Sequence, residues 1–434
     1  MGDNWNIISS CSSNVGFDDN LCHVEEERLH ALQLQPLQGN LHHQHHCGDY
    51  GFINDNPTME EIYSAMGGLF THLDFYRMRH RASVEAALPH PHTDNYSNHF
   101  ASPPWRGFVV SMAMNHRECQ YLQAVIDEGN PVYVTMILLE VKDYLHELMT
   151  HRFGSYLIQK IFQARRGMTC QQMDLTVFLI ISNHRKLKDV CMDHHGTRAM
   201  QTMIANVRHP FTGYVVVYML QHITIPLMKN VNGSYVIVQC VKFFPPKHKK
   251  IILDEVARNC VDIATDKIGC SAVKKCLDYG GRTSAIDILV AQIISNAMIL
   301  SEDPYGNYVV QRVIQMKIPL ANEQMVQELR SKFDRLSVNK YASNVVEYLL
   351  SFSNQDAVKV IAEEIMRSRN FLNVLHDPYG NYVAQRALRC TKGHVRRRFS
   401  SLIKSHRLAL QSHIYGKNVL TLAMAYTEGS EFNF

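Results

Sequence analysis

The stretch EDPYGNYVVQR at residues 302–312 decides the fold, because it recurs almost unchanged as HDPYGNYVAQR at residues 376–386. Asp-Pro-Tyr-Gly is turn chemistry, since proline fixes φ and does not continue a preceding helix or strand. From Asn307 onward the pattern predicts a helix whose valines face inward. Asn307 and Gln311 are four residues apart and therefore share one face of that helix. Each copy thus offers two amides and one aromatic ring, Tyr308.

The same unit occurs eight times from about residue 105 onward. It consists of a small residue, a polar or small residue, a second contact candidate, two apolar residues and a polar residue. The copies begin at residues 118, 154, 196, 233, 269, 306, 342 and 380. Helical units of this length cannot bury an apolar face alone and must stack into a solenoid. One spacing is longer than the others, which predicts an inserted loop around Ala164 to Met173.

Helical segments are expected between the copies, for example over Ser284 to Leu300 and over Asn322 to Leu336. The region around Trp105 to Ser111 and the segment Ser412 to Met424 are interpreted as the two terminal caps. Strand alternation is absent, so the prediction is an all-α repeat array. The glycine that recurs at the start of most copies, such as Gly306, is expected to permit a tight turn.

Charge is unevenly placed along the 434 residues. Residues 1–95 hold four arginines and no lysine against thirteen acidic residues, a net charge of −9. The whole chain carries +4, so the remainder carries +13. A basic body suggests a polyanionic partner.

Cysteine usage and the N-terminus indicate where the protein works. Eleven scattered cysteines suggest a reducing compartment, with Cys191 and Cys390 as buried small hydrophobes. The first residues lack the basic-then-apolar profile of a signal peptide, and no apolar run is long enough to suggest a membrane span. We therefore expect a cytoplasmic protein, also compatible with the nucleus, that does not engage a membrane.

Two domains are expected. Residues 1–95 form a low-complexity, mostly disordered tail that is acidic and rich in histidine, and residues 96–434 form the repeat domain. The tract at residues 41–47 could bind a transition metal, although a polar linker is the simpler interpretation. Residues 55–74 have apolar spacing typical of a short amphipathic helix, which could dock on a partner or on the repeat domain.

The paired polar residues of each copy fit the edges of nucleic-acid bases. A carboxylate such as Glu347 has only acceptors and can take both donors of guanine. Two amides match the mixed acceptors and donor of uracil, and a small residue opposite glutamine suits adenine. From the last copy to the first, the candidate base-edge residues are Asn381 and Gln385, Ser343 and Glu347, Asn307 and Gln311, Cys270 and Lys274, Ser234, Thr197 and Gln201, Ser155 and Gln159, and Cys119 and Gln123.

The residue after the first edge member can stack between bases, by an aromatic ring or a guanidinium plane. Such stacking is worth about 1–3 kcal/mol per base. The candidate stacking residues are Tyr382, Asn344, Tyr308, Tyr235, Arg198, Tyr156 and Gln120.

The two DPYGNYV stretches, with YASNVVE at residues 341–347 between them, resemble repeats six, eight and seven of the Pumilio (PUF) family. The resemblance covers roughly residues 100–434. It implies a curved right-handed α-solenoid of eight three-helix repeats with terminal caps, binding single-stranded RNA antiparallel to the protein at one base per repeat. Repeats eight, seven and six would then read a 5′-UGU start in messenger 3′ untranslated regions. The resemblance further implies control of translation and decay through recruited proteins, and we expect a monomer.

The match weakens in the middle of the array. Repeat five has Lys274 where the family pattern has glutamine, and repeat four has Val238, with Gln239 one residue late. Thr197 with Gln201 in repeat three is an uncommon pair. We therefore expect weak selectivity at the fourth to sixth bases and a preference for adenine at repeats two and one.

Enzymatic patterns fail on spacing. HELMTH at residues 146–151 resembles a zinc-protease helix, but its histidines are five residues apart instead of four. The sequence contains neither a phosphate-binding Gly-Lys-Ser/Thr loop nor a nucleophile elbow, so we expect no enzyme and no cofactor. Two alternatives to base reading remain: an armadillo-like protein-interaction scaffold, and a nuclear repeat protein that binds structured RNA through phosphates.

Overall fold

The computed structural model describes residues 103–164, 166–318 and 320–426. Within these ranges the chain is helical and has no β-strand, which confirms the all-α solenoid. Eight consecutive units contain three helices each, and two further helices follow the eighth unit.

The helices of repeats one to four are α1 (Val109–Ala113), α2 (His116–Asp127), α3 (Pro131–Val141), α4 (Leu145–Thr150), α5 (Gly154–Gln163), α6 (Cys170–Ile181), α7 (His184–Met192), α8 (Gly196–Asn206), α9 (Pro210–Gln221), α10 (Thr224–Met228), α11 (Val231–Phe243) and α12 (Pro246–Arg258). Those of repeats five to eight are α13 (Cys260–Ala264), α14 (Gly269–Tyr279), α15 (Ser284–Ser295), α16 (Ala297–Glu302), α17 (Gly306–Gln315), α18 (Ala321–Glu328), α19 (Phe333–Ser337), α20 (Ala342–Phe352), α21 (Gln355–Arg367), α22 (Phe371–His376), α23 (Gly380–Cys390) and α24 (Gly393–Ser405). The C-terminal pair is α25 (Arg407–Leu410) and α26 (Gly416–Ala425).

One apolar core runs through all eight repeats and is built mainly from the inward faces of these helices. In α17 the side chains of Val309, Val310 and Val313 are fully buried, as the sequence pattern predicts. Burying one side chain of this kind stabilises the fold by about 1.5–3 kcal/mol. Because each repeat covers the next, the helices persist although many are too short to be stable alone.

The structure corrects three details of the sequence prediction. Ser284 to Leu300 is not one helix, because α15 ends at Ser295 and α16 starts after Asn296. Asn322 to Leu336 is likewise divided between α18 and α19. The inserted loop is confined to residues 164–169, since α6 already begins at Cys170.

The two ends of the array are closed differently. Trp105 is buried and meets the ring of Tyr133 edge-on at 5.7 Å. The residues from Val109 onward, which the sequence assigned to an N-terminal cap, are the first helix of repeat one. At the other end α26 packs against both α23 and α24, as a C-terminal cap should.

The recurrent glycines follow a tight turn, as expected, but they are needed for close packing, which the sequence did not predict. Their φ angles are negative, unlike those of Gly107, Gly129 and Gly281. A Cβ atom on Gly269 would lie 2.1 Å from the carbonyl oxygen of Ile263 in the preceding short helix. The first two helices of these repeats therefore approach more closely than any larger residue allows.

The prediction for residues 1–95, including the histidine tract and the candidate helix over residues 55–74, lies outside the described residues. The same is true of the domain boundary at residues 95 and 96.

Replacing Gly269 with alanine tests the close-packing role of the glycine. Alanine is the better helix former by about 1 kcal/mol, so propensity alone would stabilise the protein. We expect the opposite, a loss of about 1–3 kcal/mol, because the new Cβ forces the α13 backbone away. Urea unfolding followed by circular dichroism measures the change. Gln292→Ala, at an exposed position of α15, is the control; equal stability of the two variants would refute the close-packing explanation.

Candidate nucleic-acid interface

The second helix of each repeat, here called the middle helix, belongs to one continuous row. The helices α2, α5, α8, α11, α14, α17, α20 and α23 pack each against the next, and α26 continues the row at its end. Every candidate base-edge and stacking residue lies on one of these eight helices. The fold therefore places the residues of successive repeats side by side along a single surface, here called the middle-helix face.

A recurrent hydrogen-bonded turn sets the start of each middle helix. In repeat six, Asp303 Oδ1 accepts hydrogen bonds from the backbone N–H groups of Tyr305 at 2.8 Å and Gly306 at 2.7 Å. This carboxylate occupies two N–H groups that would have no partner inside the helix. Residues in the equivalent position make the same pair of bonds in the other repeats and in the cap: Asn115, His151, Asp193, Asn230, Asp266, Asn339, Asp377 and His413.

The first edge member of each repeat is almost entirely buried, which the sequence did not predict. Asn307 is 2% exposed and Asn381 is 1% exposed. Ser155, Thr197, Ser234, Cys270, Ser343 and Cys119 are buried as well. These residues form the floor of the middle-helix face, because the adjoining repeat covers their sides.

Repeats six and eight share one arrangement of amides. Gln311 Nε2 donates to Asn307 Oδ1 at 2.8 Å, and Gln385 Nε2 donates to Asn381 Oδ1 at 3.1 Å. The asparagine amide in turn donates to the backbone carbonyl of the turn aspartate, at 2.8 Å for Asp303. Each pair is therefore held in place before any ligand arrives, with the asparagine anchored and the glutamine outermost.

Repeat seven differs because its second edge member is a carboxylate. Glu347 is half-buried, and Arg386 of the following repeat donates from Nε to its Oε2 at 3.4 Å. Burial raises the pKa of Glu347 above its usual value, although Arg386 and then Arg389 act in the opposite direction. The buried Ser343 hydroxyl donates to the carbonyl of Lys340 at 3.5 Å.

In repeats one and three the first edge member connects neighbouring repeats. Cys119 Sγ donates to the carbonyl of Phe153 at 3.2 Å, and Thr197 Oγ1 donates to that of Asn232 at 2.8 Å. Burial raises the pKa of the Cys119 thiol, so this group is a neutral donor. No sequence pattern predicted these bonds, because they depend on where the start of the next middle helix lies.

The glutamines of repeats one to three fold back onto their own first member. Gln123 Nε2 donates to Cys119 Sγ at 3.4 Å, and Gln201 Nε2 donates to Thr197 Oγ1 at 3.3 Å. Gln159 Nε2 donates to the carbonyl of Ser155 at 3.1 Å. The geometry of repeats six and eight thus recurs in outline in the N-terminal half.

Repeats four and five lack this arrangement. Gln239 lies at the junction with repeat three, where its Nε2 donates to the carbonyl of Gln201 at 3.4 Å, while the hydroxyl of Ser234 donates to its own turn at the carbonyl of Val231. Lys274 Nζ lies 5.7 Å from the centre of the Tyr308 ring, and Lys275 Nζ lies 4.9 Å from that of Tyr235.

Cys270, the first edge member of repeat five, is a neutral thiol. Its Sγ donates to the carbonyl of Lys267 at 3.4 Å. Burial raises the pKa of this thiol despite the nearby Lys274 ammonium. The edge of repeat five therefore combines a neutral thiol with a cation.

The candidate stacking residues stand above the floor formed by the first edge members. Tyr308 is 51% exposed, and Tyr156 and Tyr382 are comparably exposed. Gln120 and Asn344 are exposed too, whereas Arg198 and Tyr235 are half-buried. In repeat one the exposed ring belongs to Tyr121, one residue after the predicted Gln120, and the aromatic side chain itself was the signal that could have identified it.

Residues 103–164, 166–318 and 320–426 give no basis for a metal site or a membrane span. No group of histidine, cysteine or acidic side chains there could hold a metal ion, and no helix is both long and apolar enough to cross a membrane. His146, from the segment that resembles a zinc-protease helix, contacts the carbonyl of Ile180 through Nε2 at 2.8 Å. Cys191 is a buried free thiol as predicted, while Cys390 is free but only half-buried.

The comparisons with known proteins agree with this geometry. The sequence profile of the Pumilio-family RNA-binding repeat matches residues 108–142, 144–173, 225–257, 259–294, 296–329, 332–366 and 370–399. These ranges omit the third repeat, although the structure gives it the same three helices, α7 to α9.

Pumilio homolog 12 of Arabidopsis thaliana is 34% identical over 73% of this chain and 52% of its own length. A Pumilio domain-containing protein of Schizosaccharomyces pombe is 30% identical over 64% of this chain and 40% of its own length. The chain thus spans about half the length, or less, of these two relatives.

Solved structures show the same fold. The Puf4 RNA-binding domain bound to a 3′ UTR recognition sequence of HO endonuclease RNA matches with a TM-score of 0.63 and 29% identity, over 72% of this chain and 97% of that one. The RNA-binding domain of yeast Puf5p bound to AAT2 RNA matches with a TM-score of 0.65 over 75% of this chain and 99% of that one, and its 21% identity supports the fold alone.

Substituting Asp303 tests the recurrent turn. Asp303→Ala removes both bonds to the helix start and should lower the free energy of unfolding by about 0.5–2 kcal/mol. Asp303→Asn should retain most of the stability, because Asn339 makes the same two bonds in repeat seven. Thermal unfolding followed by circular dichroism compares the two. An asparagine variant as unstable as the alanine variant would show that the carboxylate charge matters and not the bonds.

Proposed function

This chain belongs to the Pumilio family of sequence-specific RNA-binding proteins, and we propose that it recognises single-stranded RNA beginning with 5′-UGU through repeats eight, seven and six. The observation that carries the proposal is the carboxylate of Glu347 lying between two amide pairs of the same geometry, Asn381 with Gln385 and Asn307 with Gln311.

The donor and acceptor sets of these residues correspond to the proposed bases. Each amide pair supplies both acceptors and donors, as the Watson–Crick edge of uracil requires, and its anchored asparagine limits the conformations the glutamine must give up on binding. A carboxylate supplies only acceptors, which complements the adjacent N1 and N2 donors of guanine. A good two-bond contact of this kind contributes about 1–3 kcal/mol of discrimination.

The exposed side chains between the edge pairs supply affinity. Tyr382, Tyr308 and Tyr156 offer ring faces on which bases stack, at about 1–3 kcal/mol per base. Asn344 takes this place in repeat seven, and Arg198 offers a guanidinium plane in repeat three. Stacking tolerates every base, so the order of the bases is selected by the edge pairs.

We propose graded selectivity along the array. Repeats two and one prefer adenine, since a small Ser155 or Cys119 accompanies a glutamine there. Repeats five to three select weakly, because Lys274 replaces an acceptor, Gln239 is turned into a repeat junction, and Thr197 with Gln201 is an uncommon pair.

The biological role follows as part of the same proposal. The Puf4 domain, which is similar to this chain, was solved with a 3′ UTR recognition sequence. We propose that this protein binds messenger 3′ untranslated regions as a monomer in the cytoplasm, without catalysis, and regulates translation and messenger stability through recruited effector proteins.

The substitution Glu347→Gln tests guanine recognition at the second base. The amide exchanges one acceptor for a donor that faces the guanine donors, so the preference for UGU over UAU should fall by about 1–3 kcal/mol. Fluorescence anisotropy with labelled RNA oligomers measures it. Glu363→Gln, which removes a carboxylate paired with Arg367 on α21, is the matched control. A wild-type protein that binds UGU and UAU equally would sink the proposed function.

The substitution Lys274→Gln tests the weak selectivity of repeat five. The variant would carry Cys270 with a glutamine, the combination found in repeat one as Cys119 with Gln123, so adenine should become favoured at the fourth base. Loss of one cation near the RNA should also reduce the magnitude of the slope of log affinity against log salt concentration by about one. Selection from a random RNA pool compares the variant with the wild type; an unchanged fourth base would contradict the assigned role of Lys274.

A further inference from the structure

Two junctions between adjacent middle helices carry an ion pair in the same register. The residue directly after the second edge member is a cation in several repeats, and it reaches back to the preceding repeat. Lys160 of α5 pairs with Asp127 of α2 at 2.7 Å, and Arg312 of α17 pairs with Asp278 of α14 at 2.5 Å. In both cases the acid lies four residues after the second edge member of its own repeat, one helical turn away from the base edge.

Repeat eight breaks this register. Its cation is Arg386, and the residue four positions beyond Glu347 in repeat seven is not an acid but Ser351. The Ser351 hydroxyl donates to the carbonyl of Glu347 at 2.7 Å. Arg386 pairs instead with the edge residue itself, Glu347 Oε2, one helical turn closer to the floor of the middle-helix face.

This pairing matters because the Glu347 carboxyl is in a poor environment for a charge. Burial raises its pKa, and Arg386 is the first of two groups that oppose the rise, with Arg389 of the same helix second. Most charged groups on the other helices packed against α20 have partners of their own. Asp334 accepts from Ser368, and Glu364 accepts from the backbone N–H groups of Ser331 and Phe333. Glu328, Asp356 and Lys359 are exposed to solvent. The remaining groups form side-chain pairs. These pairs are Arg312 with Asp278, Arg335 with Glu302, Glu323 with Asn354, and Glu363 with Arg367.

We propose that Arg386 is the positioning residue for guanine selection in repeat seven, an inference that rests on the base-reading function proposed above. Its guanidinium fixes one oxygen of the Glu347 carboxylate and keeps the group ionised, so that both oxygens can accept from guanine. A protonated carboxyl would present a donor to the guanine donors and lose this match. Guanine selectivity is therefore a joint property of repeats seven and eight.

The test uses the full chain and RNA oligomers that differ only at the second base, UGU and UAU. The variants are Arg386→Gln, which removes the charge beside Glu347, and Arg312→Gln, the control. Arg312 is the equivalent cation of repeat six, but it pairs with Asp278, which is not an edge residue. The ratio of the two affinities is measured between about pH 5 and about pH 8, where a raised glutamate pKa affects the result.

In the wild type, guanine preference should fall as the pH drops through the pKa of Glu347. Removing Arg386 raises that pKa further, so Arg386→Gln should lose the preference at a higher pH. The variant should also lower the ratio about three- to fivefold near neutral pH, the range of a partly exposed ion pair. Arg312→Gln should leave both the ratio and its pH profile unchanged.

Ser351→Asp supports the test without removing the arginine. It recreates the arrangement of the Lys160–Asp127 and Arg312–Asp278 pairs by offering Arg386 an acid one turn away from the base edge. If Arg386 positions Glu347, this variant should lower the guanine preference in the same way, while unfolding experiments show an intact array. A normal guanine preference in Ser351→Asp together with a normal one in Arg386→Gln would overturn the proposal.

Two further results separate this proposal from the one on which it rests. If the wild type and Glu347→Gln show no difference between UGU and UAU, base reading itself fails. Arg386→Gln could instead weaken the binding of both RNAs equally and reduce the magnitude of the slope of log affinity against log salt concentration by about one. In that case the arginine contacts phosphate and the positioning role is refuted. In the Glu347→Gln background, adding Arg386→Gln should change the ratio no further.

Discussion

The structure depends on how each middle helix begins. One side-chain acceptor takes two backbone N–H groups. In every repeat but the first, a glycine or alanine then lets the helix start close against the short helix before it. Together these contacts fix the position and direction of the helix inside its repeat. The register of residues on the middle-helix face then follows from the helical pitch alone. An error at the start of a helix would be passed to every edge residue on it.

The sequence predicts the part of this arrangement that is local. Period, helix type and the face shared by residues four apart all follow from short-range spacing, and so do the eight repeats and the exposed tyrosines. The seven profile matches leave out the third repeat, yet Thr197, Arg198 and Gln201 occupy the expected positions there. Spacing was the more sensitive guide because it requires no particular residue.

What the sequence could not predict depends on contacts between repeats. Three features depend on distances between separate helices. They are the burial of Asn307 and Asn381, the bonds from Cys119 and Thr197 to the start of the next middle helix, and the approach of Gly269 to Ile263. The glycines illustrate the point, since a turn and a close approach favour the same residue. Only the φ angles and the neighbouring atoms separate the two explanations.

The buried floor also bears on how such a protein changes its target. All eight first edge members are small, namely cysteine, serine, threonine or asparagine, whereas the second members range from valine to lysine and glutamate. A substitution on the floor must satisfy packing as well as the bound base, so most exchanges there cost folding free energy. The second members are less constrained, because six of the eight are partly exposed and only Val238 and Gln311 are buried. A new base preference is therefore expected to arise more readily at a partly exposed second member, since a change at a buried first member also disturbs the packing between repeats.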